Sequence, residues 1–408
     1  MHFKGIFILY CCLLGFFVGS FSALFLALVE FMLHFIWETI PNTFDPPLFY
    51  PLLIGICGGV LVGLTQKYWG PYPKTMHETL HEFQQTRRVA YTKVLAKNFI
   101  SAIIVLGFGA SLGPEAALAS ILGGLITWAG DHMKLTFSRK EELTELGFKA
   151  VFAAVFSAPL VGLSDAFEDE KGLKLSKSRS KTLLYTLSTV AGFLGFSFIN
   201  SFLPKENIFF IRIPAVTWDY RLIFSALPAI LLGISFGYLF LALEKFSDNL
   251  VKGHTHPIFF ALCGGLLLGG LGMCSHYFLY SGEHAVFPLS RHYTEYSVLF
   301  LVFLALGKAC LTHLSFAFGW RGGKIFPAIF ASTALACAFA KIFPYTPGAT
   351  VALIVATSIT IILKRPLFTA LLLLLLFPLQ YFPLLLLACF LAKQSDTWRK
   401  NYFKKISK

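Results

Sequence analysis

The chain has 408 residues, of which 56% are hydrophobic and 13% charged, and its formal net charge is +13. Soluble domains carry about 25% charged residues, so a soluble enzyme is excluded as the bulk of this chain. Nucleic-acid binding is excluded too, because the basic residues sit in short segments (Arg87-Arg88, Lys134 to Lys140, Lys171 to Lys181, Arg399 to Lys408), as cytoplasmic loops of membrane proteins do.

Apolar stretches recur from end to end, at 5–36, 48–67, 97–128 (two segments), 148–167, 183–203, 222–243, 256–280, 296–318, 325–343, 348–363 and 366–392. A helix of about 20 residues crosses the hydrocarbon core, which gives roughly ten to twelve membrane segments. The first stretch stays apolar past Ala23 to Phe35, too long for a signal-peptide core, and is predicted to be a membrane helix. The fold class is therefore an all-α polytopic membrane protein with the lipid bilayer as its solvent. It forms a single transmembrane domain over 1–408, with approximate halves 1–205 and 206–392 and a short basic tail, 393–408, expected in the cytoplasm. The many phenylalanines are expected to face lipid and fill packing gaps. The eight cysteines show neither metal-ligand spacing nor a disulfide framework, so no metal and no cofactor is expected.

In chain order, the first break in apolarity that carries chemistry is Trp69-Gly70-Pro71-Tyr72-Pro73. The second is Gly109-Ala110-Ser111-Leu112-Gly113-Pro114-Glu115. A carboxylate at membrane depth costs about 2.5–3.5 kcal/mol on insertion scales and marks function by default. Glu115 follows Gly113-Pro114, a pair that reads as a helix start, and a helix N-terminus favours anions. Downstream, Ser157-Ala158-Pro159-Leu160 opens another apolar helix, which carries Asp165 and is expected to end at Glu168-Asp169-Glu170. These acids abut the basic 171–181 loop and can take protons from the cytoplasmic side.

The second half repeats the pattern. Lys97 starts the run that leads to Gly109 and Gly113; Lys308 starts one that leads to Gly319, Gly322-Gly323 and Lys324-Ile325-Phe326-Pro327. Lys364-Arg365-Pro366-Leu367 pairs with Ser157 to Leu160, and the last stretch carries Tyr381. Interrupted hydrophobic segments at matching places in two halves point to a transport site. Irregular backbone at membrane depth must be buried or line a cavity, where its free N–H groups can replace an anion's water shell. At such a site an ionised Glu115 would stand in the anion's place, and a protonated one would leave it.

Three of these segments together resemble the chloride channel and chloride/proton antiporter (CLC) family: Gly109-x-Ser111-x-Gly113-Pro114-Glu115, Phe156-Ser157-Ala158-Pro159-Leu160-Val161-Gly162, and Gly322-Gly323-x-x-x-Pro327. The resemblance covers nearly the whole chain. It implies an inverted-repeat bundle with broken and tilted helices, a homodimer with one pore per subunit, and chloride, with or without protons, as the transported ligand. It places the protein in the cell membrane, or the inner membrane of a bacterium. It makes Glu115 the external gate and puts Gly113, Pro114 and the backbone of Lys324, Ile325 and Phe326 around the anion. Gly70 stands where the family has an anion-binding serine, and Asp169, beside Glu168, stands where it has an internal proton glutamate. Tyr381 matches the late anion-binding tyrosine, although anchoring on Pro383 brings Pro378 or Phe377 there instead. Many relatives carry nucleotide-binding (CBS) domains after the last helix; none is expected within this sequence. Fluoride or nitrate selectivity within the same architecture is the nearer alternative. An intramembrane serine protease, with Ser111 as nucleophile and His313 as base, is the remote one.

Overall fold

The structure, a computed structural model, describes residues 2–45, 47–86, 88–132, 168–169, 172–173, 179–203, 218–253 and 256–406. Its helices are α1 His2–His34, α2 Ile40–Phe44, α3 Tyr50–Trp69, α4 Met76–Thr86, α5 Val94–Gly107, α6 Glu115–His132, α7 Arg179–Asn200, α8 Leu222–Val251, α9 Pro257–Cys274, α10 Val286–His292, α11 Val298–Ala317, α12 Ile325–Ile342, α13 Pro347–Leu363, α14 Pro366–Leu373 and α15 Phe382–Ile406. Six spans among the described residues are long and apolar enough to cross a membrane: Phe7–Phe44, Tyr50–Trp69, Leu222–Val251, Pro257–Cys274, Val298–Ala317 and Ile325–Ile342. The chain is an all-α, multi-pass integral membrane protein.

Small residues decide which helices pair. Between membrane helices there is no hydrophobic drive, so close approach depends on glycine-lined contacts. A Cβ on Gly55 of α3 would run into the Gly265 carbonyl of α9, and one on Gly19 of α1 into the Gly192 carbonyl of α7. Gly233 and Gly237 let α8 lie against Ile354 and Ser358 of α13 in the same way. Helices α8, α12, α14 and α15 close around α13, which is buried along nearly its whole length although it is only 17 residues long. Phe31, Phe198, Phe224 and Phe259, on α1, α7, α8 and α9, are exposed, as expected of lipid-facing phenylalanines.

Three elements differ from the sequence reading. The stretch 366–392 is two helices, α14 and the start of α15, separated by a 3-10 turn at Leu379–Tyr381 that follows Pro378. The helix expected at 222–243 continues to Val251, because its last turns carry polar groups with partners of their own, such as Glu244 bound to Lys324. Glu168 and Asp169 are expected to end a helix; they form instead a two-residue strand, β1, paired antiparallel with β2, Gly172–Leu173. The segment 148–167 with the Phe156–Gly162 motif and Asp165, Glu170, and most of the basic 171–181 loop lie outside the described residues, as does the boundary between the halves at 205/206.

Candidate functional site

The two glycine breaks have the same backbone construction. At the end of α5, Phe108 N–H donates to Ile104 O, Gly109 N–H to Leu106 O and Ala110 N–H to Val105 O; at the end of α11, Phe318 donates to Leu314, Gly319 to Phe316 and Trp320 to Ser315. Gly109 (φ +80°) and Gly319 (φ +94°) take the left-handed conformation that this helix end requires. The matched residues are separated by a constant 210 positions, as Glu115 and Ile325 are. The lysines of the sequence comparison, Lys97 and Lys308, miss this register by one residue.

Beyond these turns the two segments meet. Gly113 N–H donates to Gly323 O at 2.8 Å, and Gly323 N–H donates to Gly113 O at 2.8 Å, a reciprocal antiparallel bridge. One step further along each strand a helix begins, α6 at Glu115 and α12 at Ile325. The Glu115 side chain crosses the junction, and its Oε1 accepts the Ile325 amide at 2.9 Å. The Phe326 amide also faces this carboxylate. Glu115 is 2% exposed, and its buried Oε2 lacks a hydrogen-bond partner. Gly113 and Gly323 make the space it lies in: a Cβ on Gly113 would stand 2.7 Å from the Glu115 carboxyl carbon, and one on Gly323 would overlap that carbon. A carboxylate held on the N–H groups of a facing helix start occupies a position built for an anion.

The third break is fastened to the same junction. Gly70, with φ +96°, ends α3. Tyr72 N–H donates to Gly70 O at 2.8 Å, and Gln66 Nε2 donates to Tyr72 O at 2.7 Å. Arg321, one residue before Gly322-Gly323, donates from Nε to Pro73 O at 3.1 Å and forms an ion pair with Glu78 of α4. The structure thus joins the segments of Gly70, Gly113-Pro114-Glu115 and Lys324-Ile325-Phe326. It surrounds Tyr381 differently: this side chain is fully buried, with Trp218 at 5.5 Å and Phe377 at 6.3 Å between ring centroids. Asp169 and Glu168 are defined here by their backbone pairing in β1 alone.

Ser111 and His313 do not form a dyad. Ser111 Oγ lies 3.3 Å from Thr312 Oγ1. His313, the next residue on α11, projects about 100° around the helix from Thr312; its ring packs on Phe240 at 4.2 Å, and neither ring nitrogen has a hydrogen-bond partner.

Several polar groups around the junction make contacts that the sequence did not show. Lys308 is completely buried in α11, and its Nζ donates to the carbonyls of Tyr277, Phe278, Leu279 and Tyr280. Tyr280 N–H in turn donates to Gly109 O at 2.9 Å, so the cradle props the turn that leads to Glu115. On one side of the junction a cavity of about 40 Å³ touches Pro114 and is lined in part by Glu30, Glu283 and His284. It has room for a water molecule or two. On the other side Lys324 meets Glu244 at 2.7 Å. In sequence Lys308 marked the start of the second repeat, with no sign of its carbonyl cradle, and the only signal for Glu283 was a charge beside an apolar run.

A sequence model described as voltage gated chloride channel matches residues 58–396. The chain belongs to that family. It is 26% identical over 270 residues to the H(+)/Cl(−) exchange transporter ClcA of Yersinia pestis bv. Antiqua (strain Angola), a match that covers 63% of this chain and 53% of that protein. The chain therefore spans about half the length of the exchangers it matches. It is 23% identical over 350 residues to the putative ion-transport protein YfeO of Escherichia coli O1:K1 / APEC, covering 81% of this chain and 79% of that one. Among solved structures, a slow cyanobacterial Cl−/H+ antiporter superposes with a TM-score of 0.78 at 20% identity, covering 95% of this chain and 93% of the other. A CLC-type fluoride/proton antiporter superposes with 0.72 at 19% identity, covering 96% and 95%. These two likenesses show the fold, and they bear out the expected CLC-like bundle.

Proposed function

We propose that the protein moves chloride across a membrane, with Glu115 as the gate. The observation that carries this reading is the Glu115 carboxylate seated on the Ile325 amide at the Gly113–Gly323 bridge. Ionised, the side chain fills the anion's place. When protonated it loses the charge that holds it there, and an entering anion displaces it. The anion is then held by backbone amides of Ile325 and Phe326 and by the positive ends of α6 and α12. Gly113 and Pro114 shape this seat, Lys324 stands at its edge, and Gly70 leaves the neighbouring break without a hydroxyl.

In this reading the proton that frees Glu115 is either released again on the same side, as in a channel, or passed across, as in an antiporter. Asp169, with Glu168 beside it, is the proposed acceptor for the second route. Tyr381 is the proposed further ligand at the inner end of the anion path. We assign the working protein to a homodimer, each subunit with its own pathway, with the C-terminal tail in the cytoplasm. The named neighbours include a fluoride antiporter, which makes fluoride the anion to test beside chloride.

Anion efflux from proteoliposomes of purified protein, recorded together with proton movement, tests the reading. Glu115→Gln is expected to abolish the dependence of anion flux on external pH and to remove any coupled proton flux. A mutant with the wild-type pH profile would refute the gate. Efflux of fluoride with no efflux of chloride would replace the anion and keep the gate.

A further inference from the structure

Ile325 and the residue before it are treated alike by the rest of the protein. Ile325 holds a carboxylate from α6 on its amide. Lys324 holds a carboxylate from α8 on its side chain, with Nζ 2.7 Å from Glu244 Oε1. The Lys324 ammonium also lies 3.9 Å above the Phe316 ring centroid, which fixes its position from the other side. Lys324 follows directly on Gly323, half of the central bridge, and is the N-cap of α12. Its side chain is 19% exposed and that of Glu244 37%, so the pair borders an open space rather than a sealed core. That space lies toward the end of the molecule where α15 runs into its basic tail, because Glu244 is within electrostatic reach of Lys364, and Lys393 of α15 donates to Lys364 O. The cavity with Glu30 and Glu283 touches Pro114 and lies toward the end of α1.

Among the described residues, three further charged or titratable groups lie near this pair. Lys324 and Glu244 are each within electrostatic reach of His313 on α11, and Lys364 closes α13. Arg321, over the same Phe316 ring at 5.4 Å, is already taken by Glu78. Lys324, unlike Arg321, can therefore lose its carboxylate partner without opening the strut to α4.

We propose that the Lys324 ammonium is a second anion site, for a small monovalent anion on its way to or from the Glu115 seat, and that Glu244 competes with the anion for it. The site is distinct from the backbone site because its ligand is a side-chain charge. It repeats the logic of Glu115 one residue earlier, with a carboxylate from another helix standing in for the anion. The assignment rests on the reading of the protein as an anion transporter. It adds a specificity-determining pair, since a point charge on a flexible stem favours anions by charge and size rather than by fixed geometry.

Chloride binding to the purified, detergent-solubilised protein, measured by calorimetry, tests it. A partly exposed ion pair is worth little, so Glu244→Gln is expected to tighten chloride binding by about two- to fivefold. Lys324→Met is expected to weaken it, and the double variant to bind as Lys324→Met does. Unchanged or weaker binding by Glu244→Gln would overturn the proposal, as would a double variant in which the Glu244 effect persists without the lysine. Lys324→Gln, which leaves α8 untouched, gives an independent arm: binding as tight as wild type would overturn the proposal by itself. Glu115→Gln separates the two readings. If neither it nor the wild type binds chloride, the transport reading falls and the second site with it. If Glu115→Gln binds chloride and Glu244→Gln leaves the affinity alone, only the second site falls.

Discussion

Replacing Gly323 by alanine should unseat Glu115, the proposed gate, without touching its chemistry. A Cβ at Gly323 would overlap the Glu115 carboxyl carbon and crowd both its oxygens. Gly323 does not have positive φ, so alanine there adds no backbone strain, and its amide and carbonyl can still form the bridge to Gly113. What is lost is the seat: the 2.9 Å bond from the Ile325 amide to Oε1. A hydrogen bond to a charged acceptor contributes about 1.5–3 kcal/mol, which corresponds to a shift of about 10- to 150-fold in the seated population. Gly323→Ala should therefore conduct at pH values where the wild type is closed, and its efflux should resemble that of Glu115→Gln although Glu115 is intact. Chloride efflux from liposomes across a series of external pH values reads this directly. Wild-type flux with a wild-type pH profile would refute the geometry from which the argument starts.

Three further outcomes can be checked. Asp169→Asn should lower proton flux and spare anion flux if the protein is an antiporter; a wild type without proton flux would make it a channel. Lys308→Met should destabilise the protein by several kcal/mol, since each buried carbonyl left without a donor costs about 1–3 kcal/mol, whereas Lys308→Arg should retain part of the loss; thermal unfolding in detergent compares the two. Burial disfavours the ionised Glu78 carboxylate, but Arg321 and the hydrogen bonds from Thr75 together more than offset this and hold it below its ordinary value of 4.5. A lowered folded value means that the strut contributes stability above pH 4.5 and loses it as the pH falls through the lowered value. Melting temperature against pH should then converge for wild type and Glu78→Gln only at the acid end.

How much of this was legible depends on where the determining contact lies. Glu115 was readable because its cost is local: an acid inside an apolar run, placed after a Gly-Pro pair at a helix start. The two glycine breaks were readable because the left-handed turns at Gly109 and Gly319 admit few residues. The register of the repeat was harder to see. It is kept by backbone turns, whereas the lysines that mark it in the sequence do different jobs: Lys308 caps carbonyls, and Lys97 lies over the Tyr72 ring. The Arg321 strut to Glu78 spans 243 residues and the Lys324 pair 80, distances over which periodicity carries no information. The break in 366–392 was signalled by Pro378 and Pro383, but so many leucines surround them that the apolar average hides it. Glu168 and Asp169 look like a helix end in composition, which does not record the backbone pairing of Asp169 with Gly172.

The reciprocal bridge between Gly113 and Gly323 also limits how this molecule can move. Two halves that rocked against each other to expose a central site by turns would tear this stitch first, between two buried glycines whose amides and carbonyls would lose their partners. Arg321 would have to release Glu78 and Pro73 in the same stroke. A scaffold sewn at this seam leaves movement to side chains rather than backbone, and on the proposed function the side chain that moves is that of Glu115, which sits on the Ile325 amide. A gate of that kind would travel about a few ångströms by rotamer change, on the timescale of side chains rather than of domains.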